Sequence, residues 1–365
     1  MSQIKKFLIA GDVGNKQSKT QTEKGTTIIP SAFAIQNPNI SVLVGQDFTL
    51  DELEEYQLPS LSDKTYLWGT AVTKYVDPEE IIETLDLKDR YDLKDYYILV
   101  QMNILRKALD YLEPDQTSGE VDIDLIWSLP TDDFRDDHVI ETLTTFFKKD
   151  GGFTGFVGEI EIKVNIHEFK FLEQSNAIIV DMAVNNNGEL VNDDLFNERV
   201  AVGDIGGGTI ILDKINKLQV NRSERNTTFG LGIHVLFDRI LSRPEISKYN
   251  FKQITIQEVI RNGLQSGVFE IKLNKRKTIP VTELVNEEIQ SYTNEIIAVM
   301  KKTWGNMDKY DSMVINGGGA NIINFQTILS ELADFAVIST EPEIATVHGL
   351  YKFGIIQGFG QYKED

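Results

Sequence analysis

Two short stretches carry residue types that can hold a phosphate together with a divalent cation. Gly11-Asp12-Val13-Gly14-Asn15 lies near the N-terminus, and Gly203-Asp204-Ile205-Gly206-Gly207-Gly208-Thr209 lies past the middle of a 365-residue chain. Both contain Gly-Asp-(Val or Ile)-Gly, both follow an apolar run, and both precede a return segment. Glycine reaches φ > 0 without steric penalty, so successive main-chain N–H groups can surround an anion. A carboxylate repels phosphate, but it can hold a divalent cation, or the waters around one, that bridges to it. One Asp-Gly turn alone is an ordinary hairpin tip. Two copies in two halves of a chain suggest two related domains facing each other across a cleft, each offering a glycine hairpin and a carboxylate.

Three further places fit the same chemistry. Lys19 follows the first turn closely enough to reach a phosphate cradled there, although an exposed lysine without a ligand is the plainer alternative. Glu173 ends an alternating stretch and opens an apolar helix at Gln174-Ser175-Asn176-Ala177. A strand-to-helix junction is a usual place for a functional side chain in an open α/β sheet, while a carboxylate there also simply complements the helix dipole. Gly317-Gly318-Gly319-Ala320 ends the buried run Ser312–Asn316 and precedes an expected helix from Asn321 to Leu332. This is a strand–turn–helix setting in which backbone approaches a nucleotide.

The elements that must position these residues can be read in order. Lys5–Ala10 is the first strand, Lys16–Gln21 its return, and Thr26–Phe33 continues as strand and irregular segment. Residues 37–93 are polar, acidic and uneven, and read as a small inserted subdomain. From Leu93 to Leu112 the period becomes helical. Val121–Leu129 alternates as a strand running into Pro130, Asp136–Phe147 reads as a helix stopped by Gly151-Gly152, and Ile160–Phe171 as one or two strands. Asn185-Asn186-Asn187-Gly188 is a loop where a domain boundary belongs. Phe229–Ile233 leads into a helix through Leu241, and Lys272–Lys277 is a basic patch that reads as a solvated hairpin tip. Val281–Trp304 is a long amphipathic helix with Thr282 as a candidate cap. In the last helix Ala345 and Gly349 fall on one face, where another helix can pack closely. The domains expected are 1–183, with an insert at about 31–93 and a returning C-terminal helix at 343–365, and 184–342, with a small subdomain at about 233–280.

Composition narrows the function classes. With 36 basic and 56 acidic residues the net charge is −20. Such a chain repels nucleic-acid backbone and anionic membrane, so any action on DNA would go through a basic partner. There are no cysteines, hence no disulfide framework or thiolate metal site, in agreement with a reducing cytoplasm. His138, His167, His234 and His348 show no ligand spacing. No window approaches the roughly 18 unbroken apolar residues of a membrane span, and no signal-peptide pattern precedes the first strand. GxxxxGK[ST] does not occur, so a P-loop NTPase is not the reading.

Asp12-x-Gly14, Glu173 at a helix start, Asp204-x-Gly206-Gly207-Gly208-Thr209, the Gly317–Gly319 turn and the small-residue helix at Ala345 occur in a definite order. That order resembles the phosphate-1, connect-1, phosphate-2, adenosine and connect-2 elements of the actin/Hsp70/sugar kinase superfamily, and spans residues 7–354. Asp12-Val13-Gly14-Asn15-x-x-Ser18-Lys19, then Ile29-Pro30-Ser31 and Ser128-Leu129-Pro130, is similar to the ParM-type bacterial and archaeal actin-like proteins. The resemblance implies an α/β, actin-like (ribonuclease H-like) two-domain fold, each domain a mixed sheet flanked by helices, with the nucleotide in the central cleft. It implies that Gly14, Asn15, Ser18, Gly206, Gly207, Gly208, Thr209 and Gly230 bind nucleotide, that Lys19 contacts phosphate, and that Gly317–Ala320 adjoin the adenosine. It implies Asp12 and Asp204 orienting Mg²⁺ through water and Glu173 positioning the attacking water, with Gln174 the rival for that last role. The activity implied is a cytoplasmic ATPase, or GTPase, that forms dynamic homopolymeric filaments and segregates plasmid DNA through a basic, ParR-type adaptor. A sugar or acetate kinase, or an actin-like cytoskeletal protein without a segregation role, shares the same core. A chaperone with a peptide-binding domain and a membrane-anchored cell-shape protein are disfavoured, the latter because only Met1–Ile4 precede the first strand.

Overall fold

The computed structural model describes residues 5–36, 52–83, 89–221 and 226–360. Met1–Ile4, parts of the expected 31–93 insert and the end of the expected 343–365 helix lie outside them. The chain forms two compact units, Met1–Val191 with Thr346–Asp365, and Asn192–Ala345.

The first unit is built on one mixed sheet. Its strands are β1 (Phe7–Val13), β2 (Gln17–Thr22), β3 (Gly25–Pro30), β4 (Ala32–Ile35), β5 (Glu54–Gln57), β6 (Thr65–Trp68), β7 (Ile81–Glu83), β8 (Ser118–Leu129), β9 (Gly152–Val157) and β10 (Ile160–Glu173). They lie in the order β3-β2-β1-β8-β10-β9-β5-β6-β4-β7. β1 pairs antiparallel with β2 and parallel with β8, and β8 pairs parallel with β10. The Ile160–Glu173 stretch is one strand, with its register shifted between Ile166 and Glu168. β4 to β7, within the 31–93 stretch, join this sheet where Tyr56 of β5 pairs with Val157 of β9. They also keep a small core of their own from Ala34, Leu53, Leu67, Ala71, Val72 and Val76, with Ala71 and Val76 flanking α1 (Val72–Tyr75).

Helices α2 (Lys94–Leu109), α3 (Thr131–Phe134), α4 (Asp137–Lys148) and α5 (Gln174–Ala183) complete the body of this unit. Leu99, Ile104 and Leu105 of α2 and Leu143 and Phe147 of α4 pack with Ile9, Leu125 and Trp127 in its main core. Burying one such side chain contributes about 1.5–3 kcal/mol, so this face dominates the unit's stability. Asp136 caps α4 by accepting from the N–H groups of His138 and Val139.

The second unit repeats the arrangement in smaller form. After α6 (Asp194–Asn197) come β11 (Arg199–Ile205), β12 (Thr209–Asn216), β13 (Gln219–Val220) and β14 (Asn226–Phe229). Next are α7 (His234–Ser242), α8 (Pro244–Ser247), α9 (Gln253–Gly263), β15 (Glu270–Asn274), β16 (Lys277–Pro280) and α10 (Thr282–Trp304). β17 (Ser312–Asn316), α11 (Phe325–Glu331) and β18 (Ala336–Ile338) close the unit, and α12 (Ala345–Ile356) begins at its border and belongs to the first. β11 pairs antiparallel with β12 and parallel with β17, which pairs parallel with β18. The hairpin-plus-parallel-strand pattern of β2-β1-β8-β10 therefore recurs as β12-β11-β17-β18.

Two local expectations differ from what forms. Thr282 does not cap α10: its hydroxyl bonds the main chain of Phe269, tying the helix start to the β15–β16 hairpin. The Asn321–Leu332 stretch is not one helix. A 3₁₀ turn over Gly318–Asn321 precedes α11, which Asn324 caps by accepting from Thr327 N–H. The basic residues Lys272, Lys275, Arg276 and Lys277 are exposed on the two-stranded β15–β16 hairpin.

Candidate functional site

Asp12 and Asp204 are each the sixth residue of a seven-residue strand, β1 and β11, at the carboxyl end where a hairpin turn begins. Carboxyl ends of parallel strands are where open α/β sheets place ligands.

In the first unit, Asp12, Ser128 and Glu173 stand at the ends of the adjacent parallel strands β1, β8 and β10. Asp12 is buried, and its Oδ1 accepts hydrogen bonds from the Ser128 hydroxyl and, at 3.0 Å, from Gln174 Nε2. Lys19 sits directly across the hairpin from Asp12, and Ser18 across from Val13. The turn itself is braced: Gly14 N–H donates to Gln17 C=O at 3.0 Å, and the Ser31 hydroxyl donates to Gly14 C=O at 2.8 Å. Ser18 and Ser31 hydroxyls lie 3.0 Å apart. Asn15 Oδ1 accepts from Arg90 at 3.4 Å.

Glu173 is the N-cap residue of α5 and is 4% exposed. Its Oε1 accepts from Arg135 Nε at 3.1 Å and its Oε2 from Asn176 Nδ2 at 2.6 Å. A buried carboxylate survives only with such partners. Gln174, the alternative at this junction, is bonded to Asp12 instead.

In the second unit, Asp204 Oδ1 accepts from Asn316 Nδ2 at 3.2 Å, and the Ser339 hydroxyl donates to Asn316 Oδ1 at 2.6 Å. Asn316 ends β17 next to Asp204 in register. Each strand-end aspartate thus receives a hydrogen bond from the end of the neighbouring parallel strand. The turn over Gly206–Gly208 is fixed through its carbonyls. Ile233 N–H donates to Gly206 C=O and His234 N–H to Gly207 C=O, both at 3.0 Å, and Gly230 N–H to Gly208 C=O at 3.1 Å. Orphan amides at the start of α7 are thus satisfied by the carbonyls of the turn. Gly232 permits this approach, since a Cβ there would lie 2.3 Å from Gly207 C=O. Gly317, at φ +86°, lies against the same strand end: a Cβ would meet Ile205 C=O at 2.4 Å and Asp204 Oδ1 at 2.5 Å. Gly319 packs on Ile205, Ala320 is buried, and Thr209 starts β12.

Sequence reading missed Ser128, Arg135, Asn176 and Asn316 as partners of the key carboxylates. Ser128 was visible only as part of Ser-Leu-Pro, and nothing local marks the other three. Among the described residues no group of three or more His, Asp or Glu side chains forms a protein-only metal site.

The N-terminal profile of actin-like proteins matches residues 10–176, and that of the Alp7A C-terminal domain matches residues 199–337. The chain belongs to the actin-like proteins. Among solved structures, the apo ParM protein of psk41 superposes with a TM-score of 0.74 at 20% identity, over 97% of this chain and 98% of that one. The actin-like protein Alp7A gives a TM-score of 0.77 at 14% identity, over 96% of both chains. Bacillus thuringiensis ParM with ATP gives 0.73 at 16% identity, over 97% of this chain and 100% of that one. The fold is therefore the two-domain actin-like one. No curated protein sequence matches the chain.

Proposed function

We propose that this protein is a nucleotide-dependent actin-like ATPase that assembles into dynamic filaments and segregates plasmid DNA through a basic adaptor. The observation that carries the reading is the repeated strand-end aspartate beside a glycine turn, Asp12 with Gly14 and Asp204 with Gly206–Gly208, in two units of matching topology. Bacillus thuringiensis ParM has been solved with ATP, AMPPNP and ADP, which supports ATP as the ligand here.

In this reading the turns made by Gly14 and Gly206, whose own amides bond within the turn, present the amides of Asn15, Gly207 and Gly208 to the phosphates, helped by Ser18, Lys19 and Thr209. Gly230 and Gly317–Ala320 line the nucleoside side. Two oxygen-donating carboxylates on short, braced strand ends suit Mg²⁺ held through water, because Mg²⁺ keeps much of its hydration shell. Asp12 and Asp204 are the residues that would hold it, and the ion would neutralise phosphate charge as it develops. Glu173 orients the attacking water. The engagement of Gln174 Nε2 with Asp12 supports Glu173 over Gln174 for that role. Catalysis would be mainly positioning and electrostatic stabilisation, and nucleotide state would bias the conformation that polymerises.

The test is 90° light scattering with electron microscopy on addition of Mg-ATP, Mg-GTP and a non-hydrolysable analogue in turn. Filaments that grow with nucleotide and decay as phosphate is released are expected. Nucleotide-dependent phosphorylation of a small metabolite without assembly would instead identify a kinase of the same superfamily.

A further inference from the structure

Three of the residues that brace the first-unit site come from one short segment. β8 ends at Leu129, Pro130 stops the strand, and Thr131–Phe134 makes a single helical turn closed by Phe134 N–H to Pro130 C=O at 2.8 Å. Asp136 then caps α4, so the turn is pinned at both ends. Three of its side chains reach three different site groups. Ser128 donates to Asp12 Oδ1. Asp133 Oδ2 accepts from Arg90 at 3.2 Å and from the Tyr91 hydroxyl at 2.6 Å, and Arg90 donates onward to Asn15 Oδ1 at 3.4 Å. Arg135 Nε donates to Glu173 Oε1 at 3.1 Å.

We propose that the Ser128–Arg135 turn is a single positioning element that sets the phosphate-side turn and the water-orienting carboxylate together, with Arg135 aiming Glu173 and Asp133, through Arg90, aiming Asn15. This rests on the assignment of Glu173 and Asn15 made above. The geometry separates the two arms. Asn15 belongs to the turn that meets nucleotide, so the Asp133 arm governs affinity. Glu173 acts on the attacking water, so the Arg135 arm governs turnover. With both carboxylate oxygens of Glu173 held, by Arg135 and Asn176, the remaining lone pairs have fixed directions. Releasing one side lets the carboxylate rotate away from the water, and small misplacements of this kind slow catalysis steeply.

The experiment is steady-state ATP hydrolysis and fluorescent-ATP binding by the full chain, with Arg135→Gln, Arg135→Lys, Asp133→Asn and Glu173→Gln. Arg135→Gln should lower kcat by about tenfold or more with KM nearly unchanged. Arg135→Lys, which keeps the charge, should recover most of the loss. Asp133→Asn keeps an acceptor for Tyr91 and should weaken nucleotide binding more than it lowers kcat. Wild-type kcat in Arg135→Gln beside a slow Glu173→Gln overturns this inference alone. Wild-type turnover in Glu173→Gln overturns it together with the catalytic assignment. Equal losses in Arg135→Gln and Arg135→Lys, with KM rising in parallel, also overturn it, because they indicate a structural role only.

Discussion

Asp12 and Asp204 occupy equivalent places in their strands but differ in surroundings. Asp12 is buried and accepts from Ser128 and Gln174, whereas Asp204 is half-buried and accepts from Asn316. Asp204→Asn keeps an acceptor for Asn316, so the strand end should hold. Hydrolysis should fall by about 10²-fold or more, the scale expected when a group stabilising transition-state charge is removed. Mg²⁺ titrations of ATPase rate check this, and an unchanged Mg²⁺ dependence would remove the proposed metal role. Glu173→Gln should keep nucleotide binding and slow turnover by about 10²–10⁴-fold, the range for losing an acid–base group, giving filaments that persist in electron micrographs. At this scale sequence showed which carboxylates sit at strand ends, because the apolar run, the acid and the glycines are contiguous. It hid their partners, since Arg135 and Glu173 are brought together only by the parallel pairing of β8 with β10.

Among the elements, the glycines of the repeated pattern divide into two physical kinds. Gly11 and Gly203, before the aspartates, serve packing. A Cβ on Gly11 would lie 2.1 Å from the Trp127 ring, and one on Gly203 would lie 2.9 Å from Met300. Gly14 and Gly206 instead make the hairpin turns, each donating to the residue three ahead. The sequence pattern cannot distinguish these kinds, because a glycine looks the same whether the space it leaves admits a ring or a turn. Close packing expected at Gly349 does occur, against Ala177 of α5. A Cβ there would sit 1.7 Å from the Ala177 carbonyl oxygen, too near for any side-chain rotation to relieve. Gly349→Ala should therefore force α12 off α5 and destabilise the protein by about 1–3 kcal/mol or more. A clear drop in Tm by calorimetry checks it, and an unchanged Tm would mean the contact yields easily. The bonding of Thr282 to Phe269 shows why caps are hard to read in a sequence: the hydroxyl had a second main-chain partner within reach, supplied by a hairpin distant from the helix register.

At the scale of the molecule, the second unit is one continuous stretch with its own sheet and a core that includes Leu236, Ile240, Tyr292, Ile296 and Trp304. Expressed alone as residues 192–345, it should unfold in one cooperative thermal transition by circular dichroism. Residues 1–191 alone should be markedly less stable, because α12 is missing. That helix lays Gly349 on Ala177 and Gly354 against Leu8 and Ile126, and Lys352 bonds Asp181 at 2.7 Å. The arrival of α12 from beyond the second unit also orders events during synthesis. A ribosome adding about 5–20 residues each second needs roughly 8–30 s to pass through the second unit. For that interval the nascent first unit presents the apolar side chains of Leu8 and Ile126 without their cover. The second unit can finish folding while the first still waits, so the first unit is complete only after α12 has left the exit tunnel.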